Sequence, residues 1–385
     1  MVRDSPEIVL TRHFFRSLFD LGFLSEEGAE SLKRALLGAL AVATALGLLL
    51  TRMFMKKYQV LSAGSVDYAH ELMADHAFLI AVPMWFVAGG VALVGHSLFP
   101  DERDFRILMA EPLPRRTIFT AKLASLLLFV GLFVAGAHLA LLPLTGFTLI
   151  GAAKTGTMFR AAAAFGASSL CASLFAALAV VAVHGLLVTS ALHARALAIS
   201  GAVRSILVGA LVLCVPFLAR LPAAAVAFRS DAGWLAWTPP AWFVGLERWL
   251  VGDGGYSGLA VAGAVATVAA LTISVASYIG LYHRFDRVML QPASSPGERV
   301  RSRSLARCVG RAPVEHAIRR FVSVTVRRSV LHQGLIVGLL AAAGGFVLNG
   351  LLNANGWNRP PELRARSFLF TVLWAPPTMM FLAIP

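Results

Sequence analysis

Charge is scarce in this sequence. Asp, Glu, Lys and Arg make up 14% of its 385 residues, while 58% are apolar. A soluble domain carries about 25% charged and ~45–50% apolar residues. That gap excludes a water-soluble enzyme of this length, and it excludes a disordered chain, which needs the opposite balance. Cysteine is rare as well. Cys171, Cys214 and Cys308 are too few and odd in number for a disulfide scaffold, and two of them sit in apolar runs. Several chemical signatures are missing. There is no G-x-x-x-x-G-K-[ST] phosphate loop, so the chain does not bind ATP in that manner, and there is no G-x-S-x-G nucleophile elbow. The ten histidines show no zinc spacing. His70 and His76 flank Glu71 and Asp75, but six residues separate them, so they do not share a helical face as a H-E-x-x-H pair does.

What is present is a series of long apolar runs. A bilayer core needs about 20 such residues in a helix. Eight runs qualify or nearly do: 35–50, 77–98, 122–150, 161–192, 203–228, 258–282, 330–352 and 368–385. The fifth is interrupted by Pro216 and Arg220. The fold class that follows is all-α, a polytopic transmembrane helical bundle of about eight spans. No signal peptide is visible, since more than 30 residues including Asp20, Glu26, Glu27 and Glu30 precede the first run. The last run stops at Ala383-Ile384-Pro385 with no polar flank, which suggests a C-terminally truncated piece of a longer protein.

With the N-terminus placed in the cytoplasm, the inward segments hold roughly twice as many Lys and Arg residues as the outward ones. The formal net charge of +14 is then mostly topology and attraction to anionic lipid, and nucleic acid is not an expected partner. All Asp and Glu residues fall outside the eight runs, with Asp75, Asp101 and Asp286 at boundaries. Ion-coupled transporters usually carry an intramembrane carboxylate, so this placement disfavours that class. His138 and His184 are the candidate intramembrane polar sites. Either is a substrate or proton site, or, more plainly, a histidine hydrogen-bonded to a neighbouring helix.

The most informative segment lies between the second and third runs, on the expected cytoplasmic side. Asp101, Glu102 and Asp104, with Arg103 among them, suit a helix N-terminus, where unpaired N–H groups and the helix dipole favour acids. Phe105, Leu108 and Met109 fall on one apolar face. Glu111, Pro112 and Pro114 break that helix. A new helix starts near Arg115 and Arg116 and runs into the third span, with Lys122 at the interface. The spacing predicts a short amphipathic helix on the cytosolic surface, tied to two spans. It reads either as an ordinary loop with snorkelling arginines or as a lever that docks on a soluble partner.

Residues 101–123 resemble the first cytoplasmic loop of type-2 ABC transporter permeases. In that family an acidic start, a short helix, a Pro-Leu-x-Arg break and a Lys-Leu entering the next helix form the coupling segment. This sequence has Phe105-Arg106 where the family pattern has Gly-Thr. Residues 238–246, Thr-Pro-Pro-Ala-Trp-Phe-Val-Gly-Leu, are similar to a Pro-Pro-x-Trp-Phe stretch of long bacterial permeases in the same group, and otherwise read as an interfacial tryptophan belt with a proline turn on the outer side. The resemblance implies the membrane permease subunit of an exporter, non-catalytic in itself and carrying no cofactor. ATP and Mg would sit on a separate ABC ATPase subunit that pushes on residues 101–116. It further implies a permease dimer or pseudo-dimer in membrane lipid, in the bacterial cytoplasmic (inner) membrane. The competing classes are an ion-coupled secondary transporter and a polytopic membrane enzyme.

Four regions are expected. Residues 1–34 hold an amphipathic interfacial helix with Leu10, Phe14 and Leu18 on one side. Residues 35–282 form a six-span domain. Residues 283–329 are a cytoplasmic linker bearing Arg299, Arg301, Arg303, Arg307 and Arg311. Residues 330–385 begin a further transmembrane region, in which Gly334 and Gly338 form a G-x-x-x-G pair suited to a close helix contact.

Overall fold

The computed structural model describes residues 5–19, 57, 68–94, 113–148, 157–190, 196–218, 221, 225–230, 232–289, 318, 321, 336–345 and 347–348. The described residues form helices and turns, with no strand among them. Four helices are long and apolar enough to cross a membrane, over 69–92, 116–139, 158–187 and 254–280. This is the helical bundle of a membrane protein. The four match the second, third, fourth and sixth apolar runs. The first and eighth runs lie outside the described residues. The fifth and seventh contain shorter apolar helices, Ser205–Val215 and Ile336–Gly345.

The chain divides into two compact bodies, residues 1–186 with 217–279, and residues 187–216 with 280–385. The first holds α1 (Pro6–Phe19), α2 (Tyr68–Leu93), α3 (Arg115–Thr148), and nearly all of α4 (Met158–Ser190). The second holds most of α5 (Ala196–Leu218). In the first body follow α6 (Ala225–Arg229), a 3-10 turn (Gly233–Trp237), α7 (Pro239–Val251), and most of α8 (Ser257–Met289). The second body also contains α9 (Ile336–Gly345).

Local chemistry sets the helix ends. Pro114 cannot extend a helix backward, and its carbonyl accepts the Thr117 N–H at 2.9 Å to open α3. Pro239 and Pro240 open α7, where their missing N–H groups cost nothing. Gly252 closes α7 in the left-handed conformation (φ 102°), and its N–H donates to the carbonyls of Arg248 and Trp249 at 3.1 and 3.0 Å.

In the first body α2 is the most enclosed of the four long helices, 72% buried over its apolar window against 22% for α8. It packs against α3, α6 and α7. Gly90 of α2 lets Phe133 of α3 approach so closely that a Cβ would stand 2.5 Å from its ring.

Helix α7 packs against both α8 and α4. A Cβ on Gly245 would lie 2.5 Å from Leu259 Cβ and 2.9 Å from the Ala260 nitrogen, and a Cβ on Gly263 would lie 3.2 Å from Trp242 Cβ. Residue 245 thus faces 259–260 while 242 faces 263, so α7 runs antiparallel to α8. Against α4 the same direction holds. Arg160, near the start of α4, donates from Nε and Nη2 to the Leu250 carbonyl at 3.3 and 3.2 Å. Phe175, deep in α4, has its ring 5.9 Å from Trp242 and 5.7 Å from Phe243. The Pro239 end of α7 is therefore level with the middles of α4 and α8, and its Gly252 end with their N-terminal ends. Helix α7 thus runs back alongside α4 and α8. It is about 20 Å long, too short to span. Within the 238–246 stretch, expected at the outer water boundary, Ala241, Phe243 and Val244 are buried, while Trp237 just before it is exposed.

In the second body α5 and α9 meet through different glycines from those expected. A Cβ on Gly209 would stand 2.7 Å from Val337 Cγ1, and one on Gly344 3.6 Å from Leu213 Cδ1. Gly338 has nothing within 4 Å, and Gly334 lies outside the described residues.

Candidate functional site

Of the expected coupling segment, Asp101, Glu102, Arg103, Asp104, Phe105, Leu108, Glu111 and Pro112 lie outside the described residues, as does the linker 290–317. Its C-terminal part is described. Pro114 and Arg116 are exposed at the start of α3, and Arg115 is the first residue of that helix. Lys122, expected at the water interface, is 4% exposed. Its ammonium lies 4.6 Å from the centroid of the Phe14 ring, a cation–π contact. Phe14 and Leu10 of α1 pack with Ile118 and Ala121 of α3, and Leu113 lies against them. The apolar stripe read from the sequence of α1 is thus turned onto α3. On a further side, Tyr278 of α8 donates its hydroxyl to the Phe119 carbonyl at 3.0 Å, with the two rings 5.7 Å apart and edge-on. The first two turns of α3 are therefore gripped by α1 and α8.

Of the two intramembrane histidines, His138 shows its partners inside the bundle. His138 of α3 donates its Nδ1–H to the Val134 carbonyl at 2.8 Å. Its Nε2 is then the acceptor for the Ser169 hydroxyl of α4 at 2.9 Å. This is the plain reading, a histidine bonded to a neighbouring helix. His184 is 1% exposed.

The sequence reading missed a polar cluster. Helix α2 begins nine residues before the expected second span, so Glu71, Asp75 and His76 fall in its first turns. His76 Nδ1–H donates to Glu247 Oε1 of α7 at 2.7 Å, with the two side chains 3% and 4% exposed. The Phe165 ring of α4 covers the imidazole at 4.8 Å between centroids. Beside them Lys57 bonds Asp75 at 2.8 Å and Glu71 at 2.9 Å, and the Asp75 side chain is 0% exposed. Arg248 Nη2 donates to the Ala69 carbonyl at 3.5 Å. His76 Nε2 and Glu247 Oε2 are buried and find no hydrogen-bond partner among the described residues. Two expectations are corrected here. Carboxylates do occur within the bundle, because Asp75 is inside α2 and Glu247 is carried inward on α7. The Asp, Glu and His positions do converge.

Among the described residues no group of three or more His, Cys, Asp and Glu could hold a metal ion. The arrangement joins α2 to α7 by a buried hydrogen bond between two ionisable side chains, and removing one partner leaves the other buried and unsatisfied. Separation in the chain hid it, because His76 and Glu247 are 171 positions apart. The available signal was Glu247 itself, an acid within the short apolar stretch 241–250.

No family model, curated protein or solved structure matches this chain.

Proposed function

We propose that this chain is the membrane permease subunit of an ATP-driven exporter of the type-2 ABC class, working in the bacterial cytoplasmic membrane with a separate ATPase subunit. The observation that carries the reading is the clamped start of α3. The segment resembling a coupling loop leads directly into Arg115. From there Leu113, Ile118 and Ala121 are bound to α1, and Phe119 to α8. A push on residues 101–116 would pass into α1, α3 and α8 together rather than bend one helix. ATP and Mg belong to the partner, as expected for a chain without a phosphate loop. The chain moves solute and performs no covalent chemistry.

The test is co-expression with an ABC ATPase subunit from the same cell, comparing the unaltered chain with Asp104→Lys combined with Arg115→Glu. The expected result is loss of co-purification and of ATP-dependent transport while membrane insertion survives. Unchanged transport would remove the coupling assignment.

A specific observation favours a second reading, an ion-coupled secondary transporter. Asp75, His76 and Glu247 are ionisable groups buried between membrane helices, and such groups often mark ion pathways. Transport driven by an ion gradient without any ATPase would select it.

A further inference from the structure

Helix α7 is held by two seams of opposite character. Toward α8 the seam is close-packed and apolar. Gly245 and Gly263 leave no room for a Cβ without moving Leu259, the Ala260 backbone or Trp242. Toward α2 the seam is polar. His76 meets Glu247, Arg248 reaches the Ala69 carbonyl, and Lys57 is paired with Asp75 and Glu71 on the same stretch of α2.

The two seams respond differently to water. Parting the glycine seam exposes close-packed apolar surface and forfeits dispersion contacts, with nothing regained from hydration. Parting the polar seam hydrates polar and ionisable side chains whose burial carried a desolvation penalty. It also supplies partners to His76 Nε2 and Glu247 Oε2, which have none among the described residues in the closed arrangement. The contacts between α4 and α7 or α8 bind these three helices together: Arg160 to the Leu250 carbonyl, Phe175 to Trp242, and Ser274 of α8 donating to the Leu178 carbonyl of α4 at 3.0 Å. The hydrogen bond from Tyr278 to Phe119 ties α8 to α3 far from the polar seam, near the other end of α8.

We infer that α4, α7 and α8 move as one leaf, and that the bundle parts between α7 and α2 at the His76–Glu247 contact while remaining joined at the Tyr278–Phe119 end. The inference rests on the reading that the chain moves a solute by exposing its interior alternately, whatever drives the motion. It requires that the α2–α7 distance take two values and that the α7–α8 distance take one.

Spin-label distances on the full chain in lipid nanodiscs test this without any knowledge of substrate or power source. With the native cysteines replaced, one pair of labels at Ala69→Cys and Trp249→Cys spans the polar seam. A second pair at Trp249→Cys and Ser257→Cys spans the seam between α7 and α8. All three positions are exposed. The expected result is a second, longer population for the first pair, enlarged by Glu247→Gln, and a single population for the second pair throughout. His76→Gln provides an independent loosening variant should Glu247→Gln fail to fold. A single unchanging distance for the first pair in every variant overturns the inference. Equal broadening of both pairs also overturns it, because the leaf would then be coming apart at the glycine seam. Failure to find an ATPase partner would defeat the exporter reading and leave these distances unaffected.

Discussion

Gly245→Ala is the sharpest test of the packing of α7 against α8. The added Cβ would stand 2.5 Å from Leu259 Cβ, 2.9 Å from the Ala260 nitrogen and 3.0 Å from the Tyr256 carbonyl oxygen. Ordinary carbon contacts lie near 3.5–4.0 Å, so the α7–α8 seam must open by about 1 Å. No rotamer change relieves the clash, because the blocking atoms are backbone or Cβ. Overpacking of this kind costs ~1–3 kcal/mol, and the rigid neighbours put this site at the upper end. Alanine in a helix interior returns about 1 kcal/mol of propensity, leaving a net loss of ~2 kcal/mol. Gly166→Ala in α4 is the matched control, since nothing lies within 4 Å of its Cβ position. That variant gains the propensity and suffers no clash. The two variants should therefore differ by ~3 kcal/mol, or roughly 6–12 °C in apparent melting temperature. Tryptophan fluorescence of the purified protein during heating measures this directly. Equal melting temperatures for the two variants would refute the reasoning, because α7 could not then lie against α8 at Gly245.

Three further outcomes are expected. Lys57→Met leaves the Asp75 carboxylate buried without the cation that bonds it at 2.8 Å, so stability falls by ~3–5 kcal/mol, and adding Asp75→Asn restores most of it in the same melting assay. A double-mutant cycle of His138→Leu with Ser169→Ala returns a coupling of about 0.6–1.7 kcal/mol, the range for hydrogen bonds between membrane helices; zero coupling would mean α3 and α4 do not meet there. Tyr278→Phe removes the bond to the Phe119 carbonyl at a cost of ~1 kcal/mol, and lowers ATP-dependent transport more than it lowers stability, because it releases one side of the α3 clamp.

Much of the fold was legible because membrane helices announce themselves by length. The runs at 122–150 and 161–192 became α3 and α4 within a few residues at their starts, and the Pro112–Pro114 break fell where α3 begins. The stripe of Leu10 and Phe14 was legible too, since period 3.6 marks a buried face whatever covers it. Other features carried no local signal. The packing of α7 on α8 depends on Gly245 and Gly263, two of 33 glycines, and a short helix opening with two prolines does not announce which neighbour it will pack on. The His76–Glu247 pair depends on that packing, so neither residue could be placed before α7 was. Lys122 read as an interfacial anchor because a lysine at a span end normally snorkels; α1 folding over it gave the ammonium an aromatic face instead.

The account stands most directly on what touches residues 101–116. A photoreactive amino acid in place of Leu108, activated in membranes of cells expressing the whole system, reports that neighbour by mass spectrometry of the adduct. The account predicts a cytosolic protein bearing a phosphate loop, with the yield changing when ATP is added. Adducts to lipid, or to a protein on the opposite side of the membrane, would contradict it.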